Sequence, residues 1–282
     1  MKTYCVIYIE GCCKGESYLG EIINGRFKIT NDILNMALFG GRLCNGYINN
    51  DEFARSRALL TFLTQEIFSI HRFPGYDEFY RFRYDYHMRE SFNQLKNDNL
   101  REARSELESL YKHTQNYLKY NFGNKPFLRL KRSLNYEEQK QVTNQLLDNY
   151  EEVKFESNII LSFSDENWLG SYNSKVLLTM DVPFNKILIH YDSIEFPNGT
   201  TGDEKENEVW VMNDDPYGRI IQHNHNFKSK GLSRENKEFP FNFPPITEDY
   251  WSYDYAFQKH NKIWDDSWVR FIIELRRKMK KI

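Results

Sequence analysis

Cysteine is scarce and poorly placed for chemistry. Cys5, Cys12, Cys13 and Cys44 all fall in the first 44 residues. Adjacent Cys12 and Cys13 do not fit the C-x-x-C spacing of a metal site, so free thiols in a reducing, cytoplasmic compartment are the expectation. The Asn198-Gly199-Thr200 sequon then reads as a turn. Long apolar runs are missing too: no window approaches the roughly 20 residues of a transmembrane helix, and no membrane role is expected. The short apolar run at 3–9 meets Glu10 and reads as a strand, not a signal peptide. Neither sign of charge is in excess. Lys and Arg number 38 against 40 Asp and Glu, so no overall field draws the chain to nucleic acid or a membrane. Gly40, Gly41 and Gly46 form neither G-x-G-x-x-G nor a P-loop, which removes the Rossmann and Walker signatures.

Aromatics are plentiful. With 21 Phe and 19 Tyr in 282 residues, the chain can fill one large core or two small ones. Residues 18–29 read as strands around a hairpin turn at Asn24-Gly25. Residues 31–39 and 51–71 suit helices. FYRFRYDYH at 79–87 interleaves aromatics with Arg81 and Arg83, the pattern of a strand with solvated arginines or of a nucleic-acid stacking surface. A long helix is expected over 91–120, with Leu100, Ala103, Leu107 and Leu110 inward. Glu102, Glu106, Glu108 and Lys112 are expected on its solvated face. Gly123 stops it and marks the expected boundary between a mixed strand/helix module, 1–122, and a second region, 123–282.

Three stretches of that second region carry chemistry. Phe127 to Leu134 alternates as a strand, and Asn135 caps a helix with Glu138 in capping-box position. That helix is expected to reach about Tyr150, with Val142, Leu146 and Leu147 inward. Arg132 sits near the strand end, where a planar guanidinium can hold a diphosphate or order a carboxylate. A buried strand from Ile159 then ends in Ser162-Phe163-Ser164, with both hydroxyls on one face. Strand-like segments follow at 175–182 and 186–192. The polar loop 195–205 leads to GDEKENEVWVM, 202–212, where Asp203, Glu204, Glu206 and Glu208 crowd the start of an apolar strand. Glu206 and Glu208 share a face if the strand includes both. Such a pair is costly unless a cation faces it, which suggests an active-site pair.

A strand with Arg, a strand with Ser-x-Ser and a Glu-x-Glu loop entering a strand, in that order, resemble the mono-ADP-ribosyltransferases of the Arg–Ser–Glu type. That group includes cholera-toxin-like toxins and bacteriophage transferases. The resemblance covers about 125–215 and includes VLLTMDVPFNKILIHYD at 176–192. It departs from the family at Ser133, where Gly is common, and at Phe163, where Thr is common. Arg129 is a second candidate for the motif arginine, and Glu204-x-Glu206 a second frame for the glutamates.

The resemblance implies an α+β core of two packed, mainly antiparallel sheets. It implies NAD as substrate and no metal. Arg132 or Arg129 would hold the diphosphate, and Ser162, with Ser164, would order the pocket. Glu208 would serve the nicotinamide ribose, and Glu206 the acceptor. Phe163 or Tyr172 would stack on nicotinamide. Arg132, Ser162 and Glu208 are then expected to converge on one cleft. The acceptor is a protein side chain, arginine among the candidates, or nucleic acid such as RNA or DNA. An intracellular toxin or phage-conflict effector of this kind would need an antitoxin or other inhibitory protein.

Two other readings stand beside it. His223 and His225 in QHNHN suggest a metal-dependent nuclease of the HNH kind or a plain polar loop. A non-catalytic module would use the acidic loop to meet a basic partner. The C-terminal third adds a Pro-rich stretch at 239–247 and a basic terminal helix with Arg276, Arg277, Lys278, Lys280 and Lys281, which suits either a helix dipole or a phosphate contact.

Overall fold

A computed structural model describes residues 20–39, 60–61, 63–70, 97–123, 125–165, 175–196, 207–216 and 218–234. The expectations at 3–9, at 79–87 and beyond 234 lie outside these residues, as do the four cysteines, Tyr172, Glu206 and the sequon. The described chain is α+β with antiparallel sheets.

Strands β1 (Glu21–Ile23) and β2 (Arg26–Lys28) form the expected hairpin. Asn24 and Gly25 both take positive φ, 50° and 79°, which matches the right-handed twist of the paired strands. Helix α1 (Asp32–Phe39) is capped by the Asn31 side chain, which accepts from the N–H groups of Ile33 and Leu34 at 3.0 Å. Residues 63–68 are also helical. Helix α2 (Asn97–Phe122) buries Leu100, Ala103, Leu107 and Leu110.

Glu106 departs from the solvated face assigned to it. It is only 2% exposed and accepts from Thr30 N–H at 2.6 Å, Thr30 hydroxyl at 2.8 Å and Asn31 N–H at 2.8 Å. A carboxylate at the start of α1 meets unpaired donors and the positive end of a helix, so burial is compensated.

The main sheet has six strands in the order β10-β6-β3-β5-β8-β7. These are β3 (Phe127–Ser133), β5 (Ile160–Ser164), β6 (Val176–Pro183), β7 (Ile187–His190), β8 (Glu208–Met212) and β10 (Phe227–Ser229). Every neighbouring pair is antiparallel. A separate ribbon pairs β4 (Glu152–Glu156) with β9 (Arg219–His223). Helix α3 (Tyr136–Leu147) begins with the expected capping box of Asn135 and Glu138.

One face of the sheet presents Leu130, Leu161, Phe163, Leu178, Val182, Val209 and Val211. Leu118 of α2, Val142 and Leu146 of α3, Val153 and Phe155 of β4 and Ile220 of β9 cover it. Burying each such side chain contributes about 1.5–3 kcal/mol, so this layer holds the ribbon and α3 to the sheet. Leu147 is 38% exposed, against expectation, because it lies about 100° around the helix from Leu146, at the helix end. Strand β4 was hidden in the same stretch: Val153 and Phe155 alternate with charged neighbours and point inward.

Helix α2 also joins the sheet. Gln115 donates to the carbonyls of Phe184 and Ile187 at 3.0 and 2.9 Å, and Thr114 and Ser193 share a buried hydrogen bond of 2.9 Å. The hairpin is tied on as well, with Glu195 N–H donating to Phe27 O at 2.9 Å. Among the described residues no helix is long and apolar enough to cross a membrane.

Candidate functional site

Strands β3, β5 and β8 are far apart in sequence and adjacent in the sheet. Lys131 lies opposite Ser164, Ser164 opposite Glu208, and Ser162 opposite Trp210. Directly opposed residues share a face, and so do residues two apart on one strand. One face therefore carries Arg129, Lys131 and Ser133 on β3, Ser162 and Ser164 on β5, and Glu208 and Trp210 on β8. Ser164 is 8% exposed, while Ser162 and Glu208 are half-buried. The Trp210 indole N–H donates to Glu208 Oε1 at 2.5 Å.

Arg132 points the other way. Its Nη1 donates to the backbone carbonyl of Ser162 at 2.9 Å, and its Nη2 reaches Glu138 Oε1 and Oε2 at 2.8 and 3.0 Å. Its guanidinium carbon stands 5.9 Å from the centre of the Phe163 ring. The two charged side chains are 9% and 2% exposed. Glu138 also accepts from Asn135 N–H at 2.9 Å and from the Ser157 hydroxyl. Arg132 is thus a buried tie between β3, β5 and α3, and the expected convergence of Arg132 with Ser162 and Glu208 side chains does not occur. The reason is parity. Arg132 alternates in step with Leu128, Leu130 and Leu134, which pack into the core.

Arg129 is an odd number of residues from Arg132 and so lies on the Glu208 face. Its Nε and Nη2 reach the two oxygens of Asp181 at 2.8 and 2.9 Å, and its side chain is 71% exposed. Hydrogen bonding from this guanidinium holds the Asp181 carboxyl below the usual carboxylate range. Phe163 is 2% exposed and belongs to the core face, so it cannot stack on a ligand held at the Glu208 face.

Asn207 takes a left-handed φ of 45° immediately before β8. The alternation that would have set two glutamates on one face therefore stops at Glu208. Glu206 itself lies outside the described residues.

A second polar group was missed at the same end of the sheet. Asp165 follows the serine strand, His190 ends β7, and Tyr191 and Asp192 lie in the 3-10 turn after it. Asp165 Oδ2 is 3.6 Å from His190 Nε2 and accepts from the Tyr191 hydroxyl at 3.4 Å. Tyr117 of α2 donates to Asp192 at 3.3 Å, and Arg26 of β2 to the same carboxylate at 3.1 Å. Burial, then the Asp192 charge, pushes the Tyr117 hydroxyl up to about 12. Burial, then the charges of Asp165 and Asp192, raises that of Tyr191. Only the bare HYD run at 190–192 signalled these residues in the sequence, and their partners come from other elements.

His223 and His225 stack in parallel on the surface, ring centres 5.4 Å apart. Among the described residues no group of three or more His, Cys, Asp or Glu side chains is placed to hold a metal ion. No protein family, no curated protein and no solved structure matches this chain.

Proposed function

We propose that this chain is an NAD-dependent mono-ADP-ribosyltransferase with an ADP-ribosyltransferase-like core. The observation that carries the reading is the opposition of Ser164 and Glu208 on neighbouring strands, next to the strand that bears the motif arginine. Arg129 fills that arginine role in place of Arg132, since Arg129 shares the Glu208 face.

In the proposed reaction the C1′–N bond between ribose and nicotinamide breaks. Nicotinamide leaves with the bonding electron pair, and positive charge develops on the ribose ring. The Glu208 carboxylate, fixed in advance by the Trp210 indole and by strand pairing, faces that charge. A preorganised charge of this kind is commonly the largest single catalytic contribution. Ser162 and Ser164 order the pocket, and Arg129 takes the diphosphate. Glu206 accepts the proton of the acceptor nucleophile as it bonds to C1′. The acceptor is a macromolecule, a protein side chain ahead of RNA or DNA. The setting is cytoplasmic, as a toxin or phage-conflict effector held in check by an inhibitory protein.

The test is transfer of label from NAD onto protein and RNA fractions of a cell extract, run side by side. Wild type labels one fraction. Glu208→Gln loses about a hundredfold or more in rate while keeping its fold. Equal labelling by the variant would remove Glu208 from the chemistry.

A further inference from the structure

Strand β8 runs between β5 and β7, so two strand spacings, about 9.6 Å, separate its neighbours. Asp165 at the end of β5 nevertheless comes within 3.6 Å of His190 at the end of β7. The register locates this meeting. Ser164, one residue before Asp165, is the partner of Glu208, and His190 is the partner of Val209. His190 shares the core face with Val209, so the two side chains meet on that face, beneath the first two residues of β8.

The imidazole is held on every side. It stacks on Tyr191 at 4.6 Å and packs against Tyr117 and Phe122 of α2 at 5.3 and 5.9 Å. Its Nδ1 accepts from Asp192 N–H at 3.3 Å, which leaves Nε2 to carry the proton of the neutral ring. That nitrogen is buried and lies 3.6 Å from Asp165 Oδ2, and neither it nor Asp165 Oδ1 has a hydrogen-bond partner. A polar group left this way in a core is costly, and the Asp165 carboxylate 3.6 Å away is the charge that offsets it. Tyr191 adds its own bond to the same carboxylate.

We propose that Asp165, His190 and Tyr191 form a clamp that passes beneath β8 and sets the Glu208 carboxylate. Glu208 needs such a device. It is the first residue of its strand, and left-handed Asn207 precedes it. Tying β5 to β7 under Val209 fixes the width of the slot that β8 occupies, and with it the alignment of Glu208 on Ser164. The three are positioning residues. Their effect on a reaction rests on the transferase reading; their effect on Glu208 does not.

The test separates the two. In the full chain, the indole N–H resonance of Trp210, assigned with Trp210→Phe, reports the bond to Glu208 without any turnover. Asp165→Ala and His190→Gln are expected to shift or broaden it. Tyr191→Phe moves it less. Asp165→Asn leaves it near the wild-type position, because an amide oxygen takes the place of the carboxylate oxygen facing Nε2. NAD consumption is measured on the same samples. Asp165→Ala is expected to lower kcat by up to about a hundredfold with KM little changed, and Asp165→Asn recovers most of it. An unmoved resonance in folded Asp165→Ala overturns the clamp. Should His190→Gln fail to fold, the partly exposed Asp165 still decides the matter. If wild type consumes no NAD and the resonance responds, the clamp stands and the transferase reading falls.

Discussion

Arg132 donates to both carboxylate oxygens of Glu138, at 2.8 and 3.0 Å, and so joins β3 to the first turn of α3. Both side chains are almost wholly buried. Removing one partner strands a charge in the core. Arg132→Ala or Glu138→Ala is therefore expected to cost about 3–5 kcal/mol in urea unfolding. Replacing both, as Arg132→Met with Glu138→Gln, which keeps the capping-box acceptor for Asn135 N–H, should restore much of that loss. A single-variant cost below about 1 kcal/mol, the level of an exposed pair, would mean that water reaches the pair.

Arg129 predicts the opposite behaviour. It is exposed, and its bidentate pair with Asp181 lies at the surface. Arg129→Gln should leave the urea midpoint unchanged. If Arg129 takes the diphosphate, KM for NAD rises about ten- to hundredfold, the size of a lost charged hydrogen bond. Steady-state kinetics with NAD decide it, and an unchanged KM would release Arg129 from the site.

Asn207 turns the chain into β8 with φ at 45°. Glycine takes that conformation freely, whereas a β-branched residue does not. Asn207→Gly should melt within a few degrees of wild type. Asn207→Val should lose about 1–2 kcal/mol. Thermal melts of the two variants give the comparison, and equal stability would mean that the turn relaxes without cost.

His113 gives a pH dependence with a definite sign. It packs beneath the hairpin with its ring 5.8 Å from that of Phe27, and burial lowers its pKa below the ordinary value of 6.5. The unfolded chain takes up the proton near pH 6.5 and the folded chain resists it, so the unfolded state binds more protons just below that pH. Stability should fall as pH drops from 7.5 to 5.5. His113→Phe keeps the ring packing and should flatten this slope, measured as urea midpoints across the same range. Parallel slopes for the two proteins would exclude His113 as the cause.

Much of the local structure was legible. Asn24-Gly25 makes its hairpin because both residues tolerate positive φ. Asn135 and Glu138 make their capping box because the partners are three residues apart. Alternation marked β3, apolar runs marked β5 and β8, and even the inward direction of Arg132 was present in its parity with Leu130 and Leu134. The Arg–Ser–Glu motif is a matter of residue order and carries no information on faces.

Other features depend on meetings the sequence does not display. Glu106 looked solvated until Thr30 and Asn31 arrived from a distant turn. Asp165 and His190 are ordinary residues until β8 is threaded between their strands. By itself the sequence determined most of the elements of this protein, and with them which residues share a strand face, because these rest on backbone preferences and contacts within a few residues. Only the tertiary structure decided that Ser164 stands against Glu208, that Arg132 turns to Glu138, and that Asp165 meets His190 beneath β8. Strand order and register are selected by the whole core, and no local interaction carries that information.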